Sequence, residues 1–206
     1  MRKTFDIHIH SNYSDGSNSV GEIVKRAKKI GLDGIAITDH NEIEGSLRAM
    51  EFDSAEFRVI PGIEVSSKEG HIVGLGVREV VYSELSAEET VKRIHELGGL
   101  AIAVHPYDRI RQGVGDLIYE LDFDAVEIYN GHTLSVTKSP EDTMKGLNIP
   151  AVCGSDAHCL DEIGMAVIRV KGDPIEAIRN GDVKIEEHIK TSRILMNYFK
   201  KRTGLF

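Results

Sequence analysis

The amino-acid sequence predicts an α/β fold in which short strands alternate with helices, as in a barrel or an open wound sheet. Apolar runs of strand length recur along the chain, and helical segments with recognisable start signals lie between most of them. The links between these segments are short, which is typical of parallel α/β architecture. At 206 residues the chain is expected to form one domain, because α/β barrels of this size are commonly single units.

Seven strands are expected in chain order. They are "TFDIHIH" (4–10), "GIAITDH" (34–40), "RVIPGIEVSS" (58–67), "HIVGLGV" (71–77), "LAIAVH" (100–105), "AVEIYNG" (125–131) and "PAVCGSDAH" (150–158). The third and fourth runs are separated only by a short segment around "KEG", which is too short for a parallel crossover. We therefore expect an antiparallel hairpin over residues 58–77.

Sequence signals between the predicted strands indicate where helices begin. Ser19 with Glu22 and Ser86 with Glu89 fit the capping box, in which the two side chains satisfy each other's backbone donors. "DPIEAIRNG" predicts one more helix, because Pro174 is favourable in a first helical turn.

The last part of the chain is expected to be helical. We place the barrel in residues 1–182 and a helical extension, packed on the same domain, in residues 183–206. "HIKTSRILMNYFKKRTGLF" predicts a terminal helix whose basic end suits the helix dipole. A contact with a partner or with nucleic acid is the alternative interpretation of that basic end.

Composition limits the classes of function. The net charge of −8 disfavours broad binding to nucleic acid or anionic membrane, although a nucleic-acid end could still enter a local pocket. Cys153 and Cys159 lack the spacing of a zinc ribbon or a disulfide framework. No run reaches the ~18 apolar residues of a membrane helix, and the N-terminus has no apolar signal region. We expect a cytoplasmic protein without a membrane partner, and the sequence does not indicate an oligomeric state.

Histidine and carboxylate residues lie at the ends of the predicted strands. They are His8, His10, Asp39, His40, Glu64, His71, His105, Asp156 and His158. Catalytic groups of α/β folds gather at the carboxyl ends of strands, where loops from distant positions converge. Residues two apart in a strand point the same way, so His8 and His10 are placed to chelate one ion. A single histidine is more often structural, but the combination predicts a site for several metal ions.

Five motifs in this order resemble the PHP (polymerase and histidinol phosphatase) family. They are "DIHIHSNYSDG", "ITDHN", "GIEVS" with "HIVGLG", "AVHPY" and "GSDAH", and the resemblance runs from residue 5 to about residue 170. It implies a distorted (β/α)7 barrel that holds three divalent metal ions, and many members of the family are phosphoesterases.

The resemblance also implies three groups of metal ligands. The first group is His8, His10, Glu64 and Asp156; the second is Glu64, His71 and His105, with Glu64 shared; the third is Asp15, His40 and His158. Glu64, Asp156 and His158 would take part in catalysis through the bound metals. Asp39 is expected to orient a neighbouring ligand, and Asp6 to be a structural or supporting carboxylate.

The expected ligand set indicates the chemistry. Mixed nitrogen and oxygen ligands suit Mn, Zn or Fe better than Mg or Ca alone. Three divalent ions would outweigh the charge of the three carboxylates, so the occupied site would attract a phosphate group. We therefore expect a phosphoesterase that hydrolyses a phosphate monoester of a small metabolite or nucleotide through a metal-activated hydroxide.

Four residues near strand ends are candidates for substrate contacts. Arg109 and Arg111 follow the "HPY" segment, where a guanidinium group could bind phosphate through two hydrogen bonds. Asn130 and His132 lie in "YNGH" at another strand end. Solvation at the surface is the alternative interpretation of both arginines.

Three other functions remain open from the sequence. One is a 5′–3′ exonuclease that acts on short oligonucleotides, and another is a non-catalytic scaffold stabilised by metal. The third is an amidohydrolase, a class that also begins with a histidine pair on a barrel strand. Amidohydrolases usually have a bridging lysine at a strand end, and the predicted strand ends here carry none.

Overall fold

Short strands and helices alternate along the computed structural model, which describes residues 1–108, 110–133 and 136–188. Within these residues the strands are β1 (Lys3–Asp6), β2 (Gly34–Ile37), β3 (Arg58–Ser66), β4 (His71–Leu75), β5 (Leu100–Ala103), β6 (Ala125–Asn130), β7 (Ala151–Gly154), β8 (Ala166–Val170) and β9 (Val183–Glu187). The helices are α1 (Val20–Lys29), α2 (Glu44–Ala49), α3 (Ala87–Glu96), α4 (Pro140–Met144) and α5 (Pro174–Arg179), with 3-10 turns at Met50–Phe52 and Gly115–Tyr119.

The strands form one sheet in the order β7-β6-β5-β4-β3-β2-β1-β8-β9. Strands β1 to β3 are mutually parallel, as are β5 to β7, whereas β4 and β8 run antiparallel to their neighbours. The two ends of this order meet, because β9 contacts β7 and a bridge joins Ile9, after β1, to Ala157, after β7. The sheet is therefore a nearly closed barrel, which confirms the predicted α/β barrel in place of an open wound sheet.

The described strands differ in number from the seven that were expected. All seven predicted runs contain a strand, but β8 and β9 add to them, and neither was predicted. Strand β8 pairs with the first three residues of β1, and β9 pairs with β8, so antiparallel strands interrupt the regular β/α alternation.

The predicted hairpin is confirmed. β3 and β4 pair in antiparallel register, with Ser66 opposite His71 and Glu64 opposite Val73. Because β4 runs opposite to its neighbours, its first residue lies at the same end of the barrel as the last residues of β3. This reversal brings His71 to the end of the barrel where Glu64 lies.

The predicted helix starts are also confirmed. The backbone N–H of Ser19 donates to the Glu22 carboxylate at 2.9 Å, and Ser86 and Glu89 make the equivalent pair at the start of α3. α5 begins at Pro174, where the Asp173 side chain accepts two backbone hydrogen bonds.

The prediction of a helical extension from residue 183 is wrong for its first five residues. Residues 183–187 form β9, and Val183 and Ile185 are half-buried against the core, whereas Lys184 between them is exposed. This alternation is that of a strand with one buried face. Residues 189–206, on which the rest of the helical prediction falls, lie outside the described residues.

Apolar side chains fill the described part of the barrel and leave one end to polar groups. Phe5, Ile7, Leu75, Ile102 and Ile168 belong to one buried cluster. Within the described residues, no helix has both the length and the apolar character needed to cross a membrane.

Candidate metal centre

The predicted ligands converge at the carboxyl end of the barrel strands. His8 and His10 follow β1, His40 follows β2, Glu64 lies near the end of β3, and His71 begins β4. Asp15, His105, Asp156 and His158 complete the predicted set and lie in the loops after β1, β5 and β7. All nine side chains fall in groups whose ligand atoms lie within 4.8 Å of one another.

Glu64 lies at the middle of these groups and is 1% exposed. Each of its oxygens lies 3.2–3.4 Å from imidazole nitrogens. Oε2 faces His8, His10 and His40, and Oε1 faces His71 and His105. A carboxylate with histidines on both oxygens has the arrangement that a bridging ligand requires.

Asp156 faces the first histidine pair. Its Oδ1 lies 3.1 Å from His10 Nε2 and 3.7 Å from His8 Nε2. The side chain is 1% exposed, and its backbone has a φ of 52°, in the left-handed region that side chains rarely adopt. Strain of this kind is concentrated at functional sites, where surrounding contacts maintain it.

Asp15 lies opposite Glu64 across the His10 ring and faces three histidines. Its oxygens lie 3.1 Å from His158 Nε2, 3.8 Å from His10 Nδ1 and 3.9 Å from His40 Nε2. His10 therefore lies between two carboxylates, with Nδ1 facing Asp15 and Nε2 facing Glu64.

Several buried ligand atoms of the centre have no hydrogen-bond partner in the described structure. They are His8 Nε2, both ring nitrogens of His10, His40 Nδ1, Glu64 Oε2 and His105 Nδ1. Buried polar atoms without partners cost roughly 1–3 kcal/mol each, and metal coordination would satisfy them. These nitrogen and oxygen donors fit divalent transition metals.

Electrostatics keeps the carboxylates ionised. Burial would raise the pKa of Glu64 and of Asp156, but their cationic neighbours, above all His8 for Glu64 and Arg111 for Asp156, hold both pKa values well below the usual range. Burial opposes charge on His10, yet the Asp156 and Glu64 carboxylates, 3.1 and 3.2 Å from its Nε2, raise its pKa to about 9. Burial lowers the pKa of His40 to about 4, which favours a neutral imidazole. The centre is thus buried and holds ionised carboxylates, which favour cations beside them.

Glu127 supports the centre from β6, and the sequence prediction missed it. The carboxylate lies 3.0 Å from His8 Nδ1, accepts the backbone N–H of His105 at 3.0 Å and accepts from Asn130 Nδ2 at 2.8 Å. A carboxylate on one ring nitrogen holds the other nitrogen ready for a metal. The signal available in the sequence was a charged residue inside the otherwise apolar run "AVEIY".

Asp39 holds the loop after β1. It accepts hydrogen bonds from the backbone N–H and the hydroxyl of Ser11, each at 2.6 Å, and from the Ser14 hydroxyl at 2.8 Å. That loop carries Asp15, so the Asp39 side chain fixes a segment that bears a ligand, and its backbone carbonyl oxygen accepts the N–H of Glu64 at 3.1 Å.

Two more buried carboxylates join the segments of the site. Asp6 accepts the backbone N–H groups of Ser155 at 3.1 Å and Gly164 at 2.8 Å, which is the structural role expected for it. Glu162, which was not predicted, accepts the backbone N–H of His158 at 2.8 Å.

Arg111 is the arginine that the structure places at the centre. Its Nη1 donates to Asp156 Oδ2 at 2.7 Å, so its positive charge lies beside a predicted ligand. Arg109 lies outside the described residues.

Asn130 and His132 also lie at the centre. The Asn130 side-chain oxygen accepts the His132 backbone N–H at 2.9 Å, and His132 Nδ1 lies 3.2 Å from His158 Nδ1. Because both polar groups of the Asn130 amide are bonded within the protein, its geometry favours a supporting position over a direct substrate contact.

Comparisons with known proteins agree with this arrangement. The family model described as PHP domain matches residues 6–156, and a second model, PHP-associated, matches residues 142–183. The two matches together cover most of the chain; the first includes eight of the nine predicted ligands, and the ninth, His158, lies within the second.

Individual relatives extend the comparison. An uncharacterized protein of Methanocaldococcus jannaschii is 41% identical over 140 residues, which are 62% of this chain and 81% of that protein. A 5′-3′ exoribonuclease of Haemophilus influenzae is 42% identical over 81 residues, which are 36% of this chain and 29% of that protein.

A solved structure shares the fold. It is that of a two-domain protein from Bacteroides vulgatus containing a predicted PHP-like metal-dependent phosphoesterase, with a TM-score of 0.76 at 19% identity, and the match covers 98% of this chain and 70% of that one. With the family model matched over more than half of its length, the chain belongs to the PHP domain family.

Proposed function

We propose that the chain is a metal-dependent phosphoesterase that hydrolyses a phosphate monoester of a small metabolite or nucleotide. The observation that carries the proposal is the convergence of nine residues with nitrogen and oxygen ligand atoms, several of which are buried without a hydrogen-bond partner in the described part of the chain. Membership of the PHP domain family supports it.

The ligand groups fit two or more divalent ions, and we propose three, drawn from Mn, Zn or Fe. When bound, such ions lower the pKa of water and neutralise charge on a phosphate group. Glu64 would hold two ions together, Asp156 would orient one beside His8 and His10, and His158 would act with Asp15. Hydrolysis replaces the ester P–O bond with a bond to the oxygen of water, and the alcohol leaves with a proton.

Arg111 is proposed as a phosphate contact. Its side chain is 23% exposed and its guanidinium group is bonded to Asp156 through Nη1, so the remaining N–H groups can face a ligand. Arginine binds phosphate through paired hydrogen bonds, which adds direction as well as charge.

The test combines metal analysis with a phosphate-release assay. After reconstitution with Mn²⁺ or Zn²⁺, the protein is assayed on histidinol phosphate, nucleotide bisphosphates and short 5′-phosphorylated oligonucleotides. We expect bound metal and phosphate release, and both should fall in His10→Ala and Asp156→Ala. His95→Ala is the matched control. His95 lies on α3, contacts Asp124 and belongs to none of the ligand groups.

Less than about one ion per chain after reconstitution would contradict the proposal, since the ligands should bind metal once deprotonated. Phosphate release that persists unchanged in Asp156→Ala would contradict it as well.

A 5′–3′ exonuclease is the second candidate, favoured by the similarity to the H. influenzae exoribonuclease. The same assay separates the two. Release of mononucleotides from oligonucleotides at a higher kcat/KM than phosphate release from small esters would favour the exonuclease.

A further inference from the structure

A cavity of about 190 Å³ adjoins the metal centre. Its inner end is formed by His105, Glu127 and Asn130. His105 Nε2 lies 3.2 Å from Glu64 Oε1, so the cavity and the ligand cluster share a side chain. A phosphate ester bound at the centre would therefore have its organic group within reach of the cavity.

The walls of the cavity are mostly apolar. They include Pro106, Ile128, Pro140 and the rings of Tyr107 and Tyr129. Burying a hydroxyl or amide without a hydrogen-bond partner costs roughly 1–3 kcal/mol, and burying a charge costs more. Such walls disfavour a densely hydroxylated or charged organic group.

Two polar side chains of the wall are bonded within the protein. Asn130 Nδ2 donates to Glu127 at 2.8 Å, and the Thr143 hydroxyl donates to the Ser139 carbonyl oxygen at 2.9 Å. Their bonds fix the shape of the cavity, and the apolar walls remain the main surface for a ligand.

The outer wall is held in place by contacts between the loops after β5 and β6. Lys138 Nζ lies 2.7 Å from both the Tyr107 hydroxyl and Asp116 Oδ1, and 4.1 Å from the centre of the Tyr107 ring. A bridge pairs Val136 with Asp108. Because these contacts form the cavity before any ligand binds, binding would order few side chains.

We propose that this cavity binds the organic group of the substrate and selects phosphate esters that carry one uncharged six-membered ring. The proposal rests on the phosphoesterase function proposed above. A cavity of about 150 Å³ in a protein core can hold benzene, so 190 Å³ accommodates one ring with a short link. It is smaller than the roughly 300–1,000 Å³ of sites for larger ligands.

The test measures binding of two phosphonates to the Mn²⁺-loaded protein by calorimetry. Phenylphosphonate carries the ring and methylphosphonate does not, and neither has an ester bond to hydrolyse. The wild type should bind phenylphosphonate at least ~10-fold more tightly, which is the range for apolar groups in a fitted pocket. Equal affinities would overturn the proposal without any variant.

A pair of variants locates the effect. Val136 lines the cavity and is 55% exposed, so Val136→Trp adds bulk at the mouth without disturbing the core. Thr137→Trp is the matched control at the next residue, which is exposed and does not line the cavity. Val136→Trp should abolish the preference for phenylphosphonate, and Thr137→Trp should keep it. A preference that survives in Val136→Trp, with unchanged circular dichroism and Mn²⁺ content, overturns the proposal.

The two proposals fail separately. Selective binding of phenylphosphonate by a protein that hydrolyses no phosphate ester would refute the phosphoesterase and support the cavity. Hydrolysis of phenyl and methyl phosphate with equal KM, together with equal phosphonate affinities, would refute only the cavity.

Discussion

Glu64 contacts five imidazole rings while almost none of its surface meets water. Asp15, in contrast, faces three imidazoles and its side chain is 49% exposed. The two carboxylates contribute the same formal charge, but removing the charge of Glu64 affects more of the centre.

Glu64→Gln should therefore reduce metal binding more than Asp15→Asn. We expect the first change to lower Mn²⁺ affinity by more than the ~10–100-fold that supporting residues cause, because Gln is a poor metal ligand at a shared position. Elemental analysis after equilibration with Mn²⁺ gives the number of ions bound per chain. Equal losses in the two variants would contradict the central position of Glu64.

Glu127→Gln tests a carboxylate that contacts Nδ1 of the predicted ligand His8. The amide keeps the size of the side chain but loses the negative charge that holds the proton on His8 Nδ1. We expect Mn²⁺ affinity to fall by ~10–100-fold, measured by calorimetry. Glu120→Gln, at an exposed position, is the control and should bind Mn²⁺ like the wild type. Unchanged affinity in Glu127→Gln would show that the His8 contact does not orient the ring for metal.

The elements differ in how well the sequence predicts them. The β3–β4 hairpin follows from a link too short for a crossover, and the ligand-bearing strand ends follow from residue type and position. β8 and β9 depend on pairing with β1 and with each other, and no local pattern encodes that closure. Glu127 was missed because it lies within β6, where a β-bulge between Glu127 and Tyr129 changes the strand register.

Ile185→Ala tests whether β9 is part of the barrel. Ile185 is half-buried against the core, so the change should lower the free energy of unfolding by about 1–2 kcal/mol, less than the ~2–5 kcal/mol of a fully buried site. Lys184→Ala, on the exposed face of the same strand, should stay within about 0.5 kcal/mol. Urea denaturation measures both, and equal effects would argue against a buried face of β9.

At the scale of the whole molecule, the metal centre should contribute to stability. A ligand at ~100 times its Kd stabilises the folded state by about 2.7 kcal/mol, because it binds the folded state alone. In a chain of this length, that corresponds to roughly 5–10 °C in Tm.

We therefore expect Mn²⁺ to raise Tm by about this amount and EDTA to reverse the increase. Scanning calorimetry with and without EDTA measures the shift. Asp156→Ala should show a much smaller increase. A Tm that is independent of metal in the wild type would contradict a metal site formed by folding.

The bridge between Ile9 and Ala157 has a consequence for biosynthesis. The first strand leaves the ribosome long before the segment that completes its pairing. The Asp6 carboxylate can accept the N–H groups of Ser155 and Gly164 only after those residues have been synthesised. Contacts of such long sequence separation form slowly. The predicted set of metal ligands, which begins at His8, can therefore be complete only after synthesis has passed His158, and the Asp6 contacts can be complete only after Gly164 has been added.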